Sequence, residues 1–378
     1  MLNFKESTRS YPEDFSECRF YGFRYSPANW ESFIRMMDLN GKRVLITTGG
    51  GLGDMICFTP ALRRMKELYP EMRLTFMTKY GNHEILQGLP YIDKVIYIIR
   101  GTLFGRYRVL PDFWNQDAVV FTDWQPQLLF FSKLFGIPVR AGTPRPGHQL
   151  DGFLTYHLET NVMKSRAYAA ETNARLFSEA LGIDVDGPMD RIDIARPSED
   201  DVHATAAMLQ NIGIEEGQPF LLLSPFASLE QRNWPAEEVR AFVQKTEEQL
   251  GIPVVISAPK DKAKEADSFS KYNLAGQTKT MQLAELIRRA RILVTPDSGP
   301  MHVAGAVGTD CVALFSKDLP CRWAPRHHCK PVYLEEPCSP CNDETARACP
   351  TVKCMRGITA DMVLEKCREF LTKGGKRK

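Results

Sequence analysis

The chain has 378 residues, enough for about two domains at roughly 150 residues each. Its 48 lysines and arginines against 46 aspartates and glutamates leave a net charge of +2, without the basic excess of a general nucleic-acid binder, so no nucleic-acid partner is expected. With 43% hydrophobic residues, no apolar run of the ~18 residues that span a bilayer, and a polar start (MLNFKESTRSYPEDFSE), the chain reads as a globular cytoplasmic protein.

Residues 1–40 lack clean periodicity and read as an N-terminal extension with one short helix near 28–38. From Lys42 strands and helices alternate. RVLITT (43–48), RLTFMT (73–78), VIYII (95–99) and AVVFT (118–122) are short β-rich runs; helical spacing marks 54–68 and 126–136. This is the pattern of a parallel, doubly wound sheet. Residues 100–117 and 142–165 read as long loops, and loops of that length tend to carry function. Arg100, Arg106, Arg108, Arg140, Arg145 and His148 within or near them either meet an anionic glycan or are simply solvated.

A helix is expected over 167–182, and 188–201 has linker character. The alternation then restarts: strands at 220–224, 254–258, 291–295 and 311–315, helices at 235–250, 281–290 and 358–371. The expected organisation is therefore an N-terminal extension (1–40), a first Rossmann-like domain (41–187), a second (200–357), and a terminal helix with a basic tail (358–378). The site is expected where the two domains face each other, at the carboxyl ends of the strands.

Three segments carry chemistry. In GGGLGD (49–54) a strand runs into a glycine-rich turn. A dinucleotide fingerprint starting at Gly49 needs glycine at the position of Asp54, and no Gly-Lys-Ser/Thr follows, so both common phosphate-loop readings fail. What remains is close backbone approach at Gly51 and Gly53, then an acid at a helix start. Asp54 suits an N-cap, a general base in the cleft, or both. In PDSGPMHVAGA (296–306), Asp297, Ser298, Gly299 and His302 converge on a helix N-terminus, which is either a receptor for a diphosphate or a plain N-cap with a surface histidine. In SPFASLEQRNWP (224–235), Ser228 and Arg232 stand on a polar loop after a strand, and Arg232 either pairs with phosphate oxygens to neutralise a leaving group or is simply a solvated loop arginine.

Ten cysteines in a cytosolic chain should be mostly reduced. Cys57 and Cys311 read as buried filler, and Cys18 is scattered. Cys338, Cys341, Cys349 and Cys354 are spaced C-x2-C-x7-C-x4-C within the segment 338–354. Four thiolates suit a structural Zn or Fe ion; the alternatives are a loop of reduced thiols or a redox-sensitive disulfide. The last residues, KGGKRK, are a solvated tail or a weak attraction to the anionic cytoplasmic face of the inner membrane.

Together these stretches resemble glycosyltransferase family 9, the ADP-heptose:lipopolysaccharide heptosyltransferase family, over roughly residues 42–365, most specifically in DSGPMHVAGA. The resemblance implies a GT-B fold with the nucleotide sugar held mainly by the second domain. It implies transfer of heptose from ADP-heptose, with inversion and no catalytic cofactor, to a lipopolysaccharide core or related lipid-linked glycan. By position, Asp54 is then the base; Ser228, Arg232, Asp297, Ser298, Gly299 and His302 line the ADP; Gly51 and Gly53 make room for the donor sugar. Glu265 is a candidate for the ribose, and Leu274, Ala275 and Gly276 for the pocket wall. Arg232 stands where relatives often have lysine, and its planar fork meets phosphate differently from an ammonium. Related autotransporter heptosyltransferases hold iron with cysteines. The alternatives are another nucleotide sugar, a protein acceptor, or an inactive nucleotide-binding protein on the same scaffold.

Overall fold

The computed structural model of the chain describes residues 37–99, 105, 107–145, 147–158 and 166–373. The expected helix near 28–38, apart from its last two residues, together with Cys18, Arg100, Arg106 and the tail from residue 374, lies outside the described residues.

The first half is a six-stranded parallel sheet: β1 (Arg43–Thr47), β2 (Arg73–Lys79), β3 (Lys94–Ile98), β4 (Ala118–Phe121), β5 (Val139–Gly142) and β6 (Tyr156–His157). Their order is β3-β2-β1-β4-β5-β6, every neighbouring pair parallel. β1 and β4 are apolar at consecutive positions because helices cover both faces. The helices are α1 (Leu52–Leu68), α2 (Pro126–Leu134) and α3 (Ala169–Leu181). Phe58 of α1 fixes the packing, its ring 5.9 Å from Phe76 of β2 and 5.7 Å from Phe177 of α3.

After α4 (Glu199–Asn211) the second sheet forms from β7 (Leu221–Leu223), β8 (Val254–Ile256), β9 (Ile292–Pro296), β10 (Cys311–Phe315) and β11 (Cys329–Tyr333), in the order β11-β10-β9-β7-β8. Its helices are α5 (Ala236–Leu250), α6 (Thr280–Arg289), α7 (Gly299–Val307) and α8 (Ala360–Lys373). In each sheet the chain reverses its winding direction once, at β1/β4 and at β7/β9. A crevice opens at such a point because the following loops depart in opposite directions.

The halves share one apolar core, which runs from Met55 and Ile56 to Met301, Val303 and Ala304. Polar ties add to it: the Arg63–Asp193 ion pair, and Thr280 Oγ1 donating to Gly81 O at 2.8 Å. No helix among the described residues is long and apolar enough to cross a membrane.

Three expectations need correction. Residues 142–165 are not one loop: they hold β6, and β5 ends at their start. The stretch 100–117 contains a helical turn at Leu110–Phe113. The end of the 188–201 linker is already helix, because Ser198 and Asp201 form a reciprocal cap that starts α4.

Candidate functional site

At the carboxyl end of β1 the Gly49 N–H donates to Asp123 Oδ1 at 2.9 Å. Asp123 follows β4, so this bond bridges the crevice of the first sheet. A Cβ on Gly49 would stand 2.2 Å from the Asp123 carboxylate, so any other residue here would make the Asp123 side chain turn away from this bond. Asp54 is not the N-cap of α1; Gly51 is. Asp54 sits at the third helical position and its Oδ2 accepts the Gly51 N–H at 2.7 Å. Burial pushes the Asp54 carboxyl up; that Gly51 bond and the charges of Arg322, Lys79 and Arg232 draw it back.

The second crevice is bridged by a guanidinium. Arg232, in the loop after β7, donates through Nη1 to Asp297 O at 3.0 Å and through Nη2 to Asp318 Oδ2 at 2.9 Å. Lys317 lies 3.0 Å from the same Asp318 oxygen and 2.9 Å from Asp343. The Asp297 carboxyl, buried at the end of β9, is raised by that burial, with Arg232 the main opposing charge. α7 starts beside it at Gly299. The Ser298 hydroxyl does not cap α7; it lies 3.0 Å from Thr295 Oγ1. The first N–H groups of α7 are therefore left without a side-chain cap.

These two ends meet. Leu52 packs on Gly299, and Gly53 lies under the His302 ring, where a Cβ would stand 2.5 Å from His302 Cδ2. His302 Nδ1 is 3.5 Å from Cys57 Sγ, and the Trp323 ring crosses it edge-on at 6.1 Å. Arg322, on the turn Pro320–Trp323, is buried over the Trp323 ring at 4.9 Å, and the charges it faces are Asp318, Asp54 and Asp297. One cleft thus holds a carboxylate from the first half beside the helix start and cation cluster of the second.

The glycosyltransferase family 9 (heptosyltransferase) model matches residues 130–351, more than half of the chain. The chain belongs to glycosyltransferase family 9. It is 23% identical over 317 residues to the lipopolysaccharide core heptosyltransferase OpsX of Haemophilus influenzae, covering 75% of this chain and 82% of that one. A glycosyl transferase family 9 structure from Veillonella parvula superposes with a TM-score of 0.77 at 18% identity, covering 90% of this chain and all of the other. The ADP-heptose lipopolysaccharide heptosyltransferase II of E. coli superposes with a TM-score of 0.69 at 18% identity, covering 89% and 100%. The fold is GT-B and the protein is a glycosyltransferase.

Within this family 9 enzyme the remaining candidates are scattered. His302, expected to line the ADP, is buried against α1, and burial lowers its imidazole to about 4. Ser228 is exposed on the loop before Arg232. Glu265 is exposed on the turn Ala263–Ala266 and pairs with Lys262 at 3.4 Å. Leu274 belongs to the core rather than to a pocket wall, Ala275 is buried, and Gly276 abuts Lys260. Cys57 and Cys311 are buried, as their apolar neighbours imply.

Cys338, Cys341, Cys349 and Cys354 are free thiols, and no group of three or more His, Cys, Asp or Glu among the described residues is placed to hold a metal ion. Cys349 Sγ instead accepts the Val352 N–H at 3.4 Å. The arrangement does not fit the expected Zn or Fe site. The loop walls the site instead: the Cys341 N–H donates to Lys317 O at 2.9 Å, and Gln231 Nε2 to Arg347 O at 3.3 Å.

Sequence reasoning missed Asp123, Lys317, Asp318 and Arg322. All four follow β4 or β10, and the rule that ligands gather beyond the carboxyl ends of parallel strands flags those loops.

Proposed function

We propose that the enzyme transfers heptose from ADP-heptose to a lipopolysaccharide core or related lipid-linked glycan, with inversion at the anomeric carbon. The observation that carries this reading is the juxtaposition of Asp54 with the Arg232–Asp297–α7 cluster across one cleft. ADP-heptose and lipopolysaccharide appear in the names of its relatives, and a diphosphate is the ligand that an uncapped helix start beside a guanidinium suits.

In this mechanism Asp54 Oδ2 keeps its Gly51 bond while Oδ1 takes the proton of the acceptor hydroxyl. The acceptor oxygen bonds to the anomeric carbon from the face opposite ADP, and the bond from that carbon to the diphosphate oxygen breaks. ADP leaves with the electron pair, its charge received by Arg232 and the α7 N–H groups at Ser298 and Gly299. Gly51 keeps a side chain out of the sugar's space, Gly53 lets the His302 ring pack on α1, and Ser228 and Glu265 bind the nucleotide from their loops. Asp54 is returned to its ionised form by solvent. His302 positions α7 against α1.

Isothermal titration with ADP-heptose, UDP-sugars and GDP-sugars tests the donor; Asp54→Ala and Asp54→Asn test the base. Both variants are expected to bind ADP-heptose normally and to lose about 10²–10⁴-fold in transfer. Absence of sugar-nucleotide binding overturns the transferase reading, and wild-type turnover by Asp54→Ala overturns the base. Turnover with a different nucleotide sugar or a protein acceptor replaces the substrate named here.

A further inference from the structure

Tyr80 directly follows β2 and is 63% exposed, yet it is not a loose surface ring. Its N–H donates to Ile98 O, at the end of β3, at 3.0 Å, which pins its backbone to the sheet. Its ring lies 5.5 Å from that of His83, nearly parallel at 25°, and 5.4 Å from that of Tyr97 on β3. The His83 and Tyr97 rings are themselves 4.1 Å apart, and the Arg108 guanidinium stands over Tyr97 at 4.5 Å. The loop that carries Tyr80 and His83 is tied to the second half through Gly81 O, which accepts the Thr280 hydroxyl. A single exposed tyrosine needs no explanation. A ring backed by two others on a pinned backbone is preorganised for a flat, partly apolar ligand. Nothing in the catalytic scheme uses these rings.

Position identifies the ligand. β2 adjoins β1 in the sheet, so Tyr80 stands at the same carboxyl edge as the Gly49 turn and Asp54, one strand spacing of about 5 Å to the side. The charge of Lys79, the residue before Tyr80, reaches Asp54. In the proposed scheme the donor's diphosphate is held by Arg232 and the start of α7, both in the second half, whereas Tyr80 belongs to the half that carries the base. His83 is buried, and burial lowers its imidazole, so the backing ring is neutral at pH 7. A neutral stack of rings that ends in a phenol suits the C–H face of a pyranose, whose hydroxyls can reach the phenol oxygen at the edge.

We propose that Tyr80, backed by His83 and Tyr97, stacks against a sugar ring of the glycan acceptor, the residue next to the one whose hydroxyl Asp54 deprotonates. It rests on the reading of the acceptor as a glycan. The enzyme then reads two acceptor residues rather than one, and the stack fixes which hydroxyl faces Asp54.

The test titrates the full chain, with and without ADP, with a deacylated lipopolysaccharide core oligosaccharide. Tyr80→Ala is expected to lose about tenfold in oligosaccharide affinity, while Tyr80→Phe, which keeps the ring, should stay within about threefold of wild type. Both variants should bind ADP as wild type does, which establishes that they are folded. Proton spectra of the bound oligosaccharide should show ring-current shifts on the residue next to the accepting one, lost in Tyr80→Ala. An oligosaccharide that wild type ignores, or that wild type and Tyr80→Ala bind alike, overturns the proposal. So does a Tyr80→Phe loss as large as that of Tyr80→Ala, which makes the hydroxyl rather than the stack the contact, or shifts confined to the accepting residue. Weakened ADP binding by Tyr80→Ala also overturns it, since the ring then belongs to the donor's adenine. ADP-heptose binding with no effect of Tyr80 on the oligosaccharide sinks this proposal alone; a Tyr80-dependent oligosaccharide site in a protein that binds no sugar nucleotide sinks the transferase reading and leaves the stack standing.

Discussion

Gly53 and His302 touch across the two halves of the molecule, with no room for even a methyl group between them. Alanine at a helical position normally stabilises relative to glycine by up to about 1 kcal/mol. Here Gly53→Ala is expected to destabilise by about 1–3 kcal/mol, because the added carbon must displace a buried ring or part α1 from α7. Denaturant unfolding measures the loss, and weaker ADP binding should accompany it. His302→Ala vacates the space, so the double variant should recover part of the Gly53→Ala cost. Strict additivity of the two changes would mean that they do not communicate.

The buried imidazole also predicts a pH dependence of stability. His302 is held at about 4 by burial, against ~6.5 for a free histidine. Between those values the unfolded chain binds a proton that the folded chain does not. Stability is therefore full above about pH 6.5 and falls as pH drops toward 4, by up to about 1.4 kcal/mol per unit from this residue. His302→Gln should flatten that part of the curve, as measured by urea unfolding at a series of pH values. An unaltered slope would show that other groups set it.

The fold was largely legible because its strands are apolar at consecutive positions: RVLIT, AVVF and ILVTP have the pattern of strands buried on both faces. β11 escaped because Lys330 and Pro331 make it an edge strand without alternation. At the site, local spacing placed Asp54, Arg232, Asp297 and Ser298 at the ends of the right elements. It misplaced His302 because the slot above Gly53 exists only once α1 and α7 meet. Arg322 gave no sign of its distant partners: beyond Asp318 on its own loop, its carboxylate neighbours Asp54 and Asp297 arrive from α1 and the end of β9. Tertiary assembly, rather than propensity, creates such positions.

Arg322 sets the next expectation. Asp54 is pushed up by burial, and after the Gly51 N–H the first charge drawing it back is Arg322, followed by Lys79 and Arg232. Asp297, also in the cleft, faces Asp54 with the same sign of charge. Arg322→Met removes one cation from this balance, so the Asp54 carboxyl should rise further. If Asp54 is the base, the acid limb of kcat/KM should move to higher pH, since the carboxylate form is lost sooner on acidification. Arg322→Lys should return the limb toward its wild-type position. A loss of rate with the limb unmoved would leave Arg322 a structural residue only.

Arg232 holds the donor side, and its fork geometry gives the last prediction. Nη1 and Nη2 reach two different partners, the Asp297 carbonyl and the Asp318 carboxylate, while Nε is buried without a partner in the protein. A lysine can satisfy one of these directions but not the planar set. Arg232→Lys is expected to weaken ADP binding by about tenfold and Arg232→Gln by about a hundredfold, the latter removing the charge as well. Arg232→Gln also leaves Asp297 and Asp318 short of a cation, at about 1–3 kcal/mol of stability for a partly buried pair. Calorimetry with ADP, read beside denaturant unfolding, separates the two effects. If Arg232→Lys bound ADP as tightly as wild type, only the charge at this position would matter for the diphosphate, and the fork would serve the protein's own loops.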